Sequence, residues 1–159
     1  MRGSVRAGLM AVCVLSGWGC ATTGAPPEPV HPADLVMTML ERHLGQLNAN
    51  LDHLDKQIES LQQVPDTQDP VLRQIRALDL SGWRVHLQQL RIQREHFQLA
   101  LEQIREAKAH PDSKARLLEQ WTKHEQGYER ALDDLRQQRH QLEQQRHQAE
   151  AQVVERYLH

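Results

Sequence analysis

Between residues 37 and 61 large apolar side chains recur at alternating steps of three and four: Met37, Leu40, Leu44, Leu47, Leu51, Leu54, Ile58 and Leu61. That spacing is the heptad seam of a helix, with Met37, Leu44, Leu51 and Ile58 at a, and Leu40, Leu47, Leu54 and Leu61 at d. Left in water, each of the eight forfeits about 1.5 to 3 kcal/mol of burial, so another helix must cover them. A sheet is disfavoured as well: aromatic residues are 4% of the chain, with a single Phe, and Gln and Leu dominate where β-branched residues would be needed.

A second stretch, Val71 to Ala109, continues the seam through Leu80, Trp83, Leu87, Leu90, Phe97, Leu101 and Ile104, interrupted by Arg94. It also carries Leu78, Val85, Ile92 and Leu99 at steps of seven, on the face opposite. A helix with two apolar faces lies between two neighbours, or buries the second face in a dimer or another protein. The first reading is favoured, because a third helix is at hand. Ser113 to Leu158 opens with Leu118, Trp121, Tyr128, Leu132 and Leu135, then thins over 136–150 (RQQRHQLEQQRHQAE), where Leu142 alone is large and apolar. Pro-Asp-Thr-Gln-Asp-Pro at 65–70 and His-Pro-Asp-Ser at 110–113 supply the turns. The expectation is all-α: an antiparallel three-helix coiled-coil-like bundle, residues 33–159, with helices over about 33–64, 71–109 and 113–158.

These lengths predict that the third helix overshoots, so that residues 152–159 project beyond the 65–70 turn. Val153, Val154, Tyr157 and Leu158 would then form a partner-docking tip, with Arg139 and Arg146 of the polar segment beneath it. A frayed terminus or a dimer seam accounts for the same residues.

The N-terminus supplies an address. Met1 to Arg6 is basic, Ala7 to Leu15 is an apolar run, and Ser16 to Ala21 is mostly small. This has the form of a secretory signal peptide, too short to span a bilayer. Gly19-Cys20 resembles the bacterial lipoprotein processing site. The resemblance implies cleavage after residue 19 and a covalent diacylglycerol and N-acyl group on Cys20, which would hold the chain firmly at a membrane. Ala21 resembles the residue found there in lipoproteins sent to the outer membrane, facing the periplasm. Cleavage after Ala21, giving a soluble periplasmic protein, is the alternative. Residues 20–32, with four Pro between Pro26 and Pro32, read as an extended tether. Cys13 and Cys20 are the only thiols, so the leader and the lipid account for both.

Nothing in the pattern builds an enzyme. There is no Gly-rich phosphate loop, no Gly-x-Ser-x-Gly and no His-Glu-x-x-His, and the acidic residues are scattered over polar faces. The formal charge of -2 gives no basic surface for nucleic acid. Ten His invite a metal, but no two stand four apart on a helix, so no metal site and no other cofactor is expected. In the heptad phase His43, His86 and His124 fall at g and His53, His96 and His110 at c, positions expected to be mostly solvated. Acid sensing by so many imidazoles is a minor alternative.

Leu132 to Gln145 (LDDLRQQRHQLEQQ), followed by Val154-Glu155-Arg156-Tyr157-Leu158, resembles the C-terminal helix of the QseG (YfhG) type of outer-membrane lipoproteins, with a fainter likeness over Pro70 to Asp79. Members of that family are associated with a membrane sensor histidine kinase and its response regulator. The resemblance implies a lipid-anchored periplasmic adaptor that binds an envelope protein, such as the periplasmic part of such a kinase. Two other readings stay open: a structural coiled-coil component of an envelope assembly or efflux system, acting as a homo-oligomer, and a chaperone-like periplasmic helical protein.

Overall fold

The computed structural model describes residues 31–158, so the leader and the candidate lipidation residue Cys20 lie outside the described residues. The described chain is all-α. Helix α1 spans Pro32–Gln63, α2 spans Pro70–Ala109 and α3 spans Lys114–Leu158, with a short 3-10 turn, Pro111–Ser113, between the last two.

Each helix starts where local chemistry dictates. His31 caps α1, its Nδ1 accepting from Ala33 N–H at 3.2 Å, and Pro32 takes the first helical position. A proline belongs there, because that N–H has no intrahelical partner in any case. Asp69 caps α2 in the same way, its carboxylate accepting from Val71 N–H at 2.7 Å and Leu72 N–H at 3.2 Å, with Pro70 next. Helix α1 has no basic residue in its last turn, and a neighbour supplies the charge. The Arg76 guanidinium reaches back from α2 and donates to Leu61 O at 2.8 Å, Pro65 O at 3.1 Å, Gln62 O at 3.3 Å and Val64 O. One cation thereby satisfies two of the orphan carbonyls in the last turn of α1, Leu61 and Gln62, and meets the negative end of its dipole.

All eight seam residues of α1 are buried or half-buried, and Leu51, Leu54 and Ile58 form a cluster with Leu87 of α2, flanked by Leu80 and Leu90. Along the edge Arg105 pairs with Glu41 at 2.7 Å and Arg91 with Asp55 at 3.6 Å, while Lys108 pairs with Asp34. Glu41 and Asp55 are fourteen apart, as are Arg91 and Arg105, so one antiparallel register holds over two heptads. Exposed pairs of this kind contribute little, about 0 to 1 kcal/mol each, and serve mainly to fix alignment.

Helix α2 is the middle layer. It packs on α1 and on α3, whereas no Cα of α1 comes within 8 Å of one in α3. The two faces of α2 divide differently from the expected pattern. Leu80, Leu87 and Leu90 meet α1, but Trp83 and Ile104, assigned to the same seam, line the α3 side together with Leu78. Val85, Ile92 and Leu99 are only half-buried. The α2–α3 junction is consequently the more polar of the two, with Asp79, His86, His96 and Gln103 among its members.

Helix α3 is held by few buried side chains: Leu117, Leu135 and Ala149. Leu118, expected in its seam, is 66% exposed, and Leu117 takes the inward place. Trp121, Tyr128, Leu132 and Leu135 keep the inward places expected of them, so the departure is confined to the start of α3.

Candidate functional site

Arg146 Nε lies 2.8 Å from Asp79, and Arg156 lies 3.6 Å from Asp69. Asp69 and Asp79 are ten apart, as are Arg146 and Arg156, so α3 runs antiparallel to α2 without slipping. This register corrects the expected overshoot. The last turn of α3 draws level with the N-cap of α2, and residues 152–155 lie alongside its first turn instead of projecting past the 65–70 loop. The helix lengths are close to those expected; the register fixed by the two ion pairs makes the difference, setting residue 155 level with Pro70.

What remains at that end is nevertheless apolar and bare. Tyr157 is 80% and Leu158 77% exposed, Val154 is exposed and Val153 half-buried. The fold brings two residues to the same end that the sequence reading left out: Val64, at the C-cap of α1, and Leu72, in the first turn of α2, both exposed. Three elements thus contribute to one apolar end. The signal for Val64 and Leu72 was their place beside the two prolines of the turn, which is visible only once the helices are aligned.

Arg139 and Arg146 sit further along α3, away from the end. Arg139 Nε pairs with Glu143 at 3.0 Å, while Arg146 bridges Asp79 and Glu150, the latter at 3.2 Å. Both guanidinium groups are engaged within the chain. They border a groove of about 520 Å³ between α2 and α3, floored by Leu78, Gly82, Trp83 and Leu142.

A second constellation lies in the middle of the α2–α3 junction. His96 of α2 stacks on Tyr128 of α3, with centroids 3.9 Å apart and planes 14° from parallel. His124 also stacks with His96, at 5.4 Å and 16° from parallel, and Trp121 packs against His96 at 4.8 Å. His86, His96 and His124 were expected to be mostly solvated; all three are half-buried. His96 Nδ1, His124 Nε2 and His86 Nδ1 are shut off from solvent with no hydrogen-bond partner among the described residues. Burial holds the His96 imidazole below its ordinary range; His124 pushes the same way, and Glu125 opposes them. Burial also raises the Tyr128 phenol, with Arg136 acting against it.

Among the described residues no group of three or more His, Cys, Asp or Glu is placed to hold a metal, and no helix is long and apolar enough to cross a membrane. In comparisons with known proteins, no family model, curated protein or solved structure matches the chain.

Proposed function

We propose that this chain is a lipid-anchored, periplasm-facing helical adaptor that acts by binding an envelope protein through its far end. The observation that carries the reading is the gathering of Val64, Leu72, Val154, Tyr157 and Leu158, all exposed, at the end of the molecule remote from the start of α1. Exposed apolar residues brought to one end of a molecule by separate elements are candidates for an interaction surface. The leader and Cys20 supply the anchor in this reading, and α1 and α2, about 48 and 60 Å long, hold the docking end away from the membrane. The resemblance of residues 132–145 and 154–158 to the QseG type makes the periplasmic part of a sensor histidine kinase the partner of choice.

The test is photocrosslinking in intact cells with reactive groups at Val154 and Leu158, beside a control at Gln141. Capture of one envelope protein from the two tip positions but not from the control is the expected result; no capture sinks tip docking. Mass spectrometry of the N-terminal peptide checks the anchor separately, and acylated Cys20 is the expected species.

A second reading, self-association as a structural element, draws on Leu35, Val36 and Met39, exposed on the first turns of α1, and on Leu118. Light scattering separates the two: a monomer favours the adaptor and an oligomer the structural element.

A further inference from the structure

Two helical junctions of unlike chemistry meet on α2. The α1 side is sealed by Leu47, Leu51, Leu54, Ile58, Leu80, Leu87 and Leu90, none of which titrates. The α3 side is closed at its middle by four rings, His96, His124, Trp121 and Tyr128, two of them imidazoles stacked on each other. A neutral imidazole stacks on its neighbours at little cost. A protonated one needs hydration or a carboxylate, and a second protonated ring beside it is repelled.

We propose that the His96–His124 stack, half-buried between α2 and α3 with one occluded, unpartnered nitrogen on each ring, is an acid-operated latch whose protonation releases α3 from α2 while the α1–α2 hairpin stays closed. The groups facing it are few. From α3 come His124 itself, Tyr128 and Glu125, whose carboxylate favours the charged imidazole but does not outweigh burial and the second His. Arg136, also on α3, acts on the Tyr128 phenol. On α2, Arg94 is two residues from His96, about 200° around the helix, and so lies on the opposite face. From α1, His43 approaches only as far as Phe97, with ring centroids 6.0 Å apart, and Phe97 stands between it and His96.

The sign follows from which state holds the proton. In the closed state His96 titrates below its ordinary 6.5, so the opened chain binds protons first as pH falls. Closure is therefore complete above about pH 6.5 and is lost as pH drops through the lowered value. Each unit between the two states changes the opening equilibrium about tenfold. This device depends neither on the lipid nor on the identity of a partner.

Hydrogen exchange by mass spectrometry on the full chain, at pH 7.5 and pH 5.0, tests it with α1 as the internal reference. Amides of residues 117–135, corrected for intrinsic exchange, should lose protection relative to residues 47–58 at the lower pH. The variant His96→Gln/His124→Gln should abolish that difference. Equal loss in both regions, no loss in either, or a double variant that still responds as the wild type does would overturn the latch. Should the variant not fold, NMR titration of the wild-type imidazoles decides: His96 must titrate below the exposed His140 and His147, and titration together with them refutes the proposal.

Discussion

Arg76 shows how much one side chain can organise. It contacts four carbonyls at the end of α1 and stands 3.9 Å from Asp66, so a residue of the second helix terminates the first. Replacing it with Met keeps much of the aliphatic packing and removes the donors. Arg76→Met should cost about 2 kcal/mol, the scale for hydrogen bonds to a charged group, read as a lower midpoint in urea unfolding at unchanged slope. Ala149 makes the complementary point by being small. It is 1% exposed, and the Asp79–Arg146 register sets it opposite Arg76. Nothing in the run Arg-His-Gln-Ala-Glu marks this alanine as a contact, because composition reveals large core residues and hides those needed for their lack of bulk.

The individual helices differ in how far their sequence foretold them. In α1 every seam position points inward, because this helix has a single partner and a single stripe suffices. The middle helix has two partners, and heptad labels drawn for one seam misplace whatever serves the other. Trp83 and Ile104 turn to α3, and His86 and His96, assigned to the flanks, are half-buried on the same side. The third helix keeps Trp121, Tyr128, Leu132 and Leu135 inward as expected, but at its start Leu117, which the spacing did not single out, is buried and Leu118 is exposed. The unequal packing has a measurable counterpart. Leu54→Ala, in the α1–α2 cluster, should destabilise the protein by about 3 kcal/mol. Leu142→Ala, at the open groove, should cost less than about 1 kcal/mol, since its side chain already borders solvent. Thermal or urea unfolding of the two variants side by side provides the check.

For the molecule as a whole, the apolar end and the body are separable. A chain stopped after Ala151 loses Val153, Val154, Tyr157 and Leu158 together with the Arg156–Asp69 pair, whose contribution is that of an exposed ion pair, below about 1 kcal/mol. Circular dichroism should show the remaining helices intact and the melting temperature within a few degrees of the full chain, while co-purification with the envelope partner captured by the full chain disappears. A large fall in melting temperature would instead make the end part of the fold. The gap between α1 and α3 carries a further consequence. With no shared partner apart from α2, perturbations placed on the two outer helices have no direct route to each other. The protein is two packed junctions that share one central helix, so a substitution confined to one junction should leave the stability of the other unchanged.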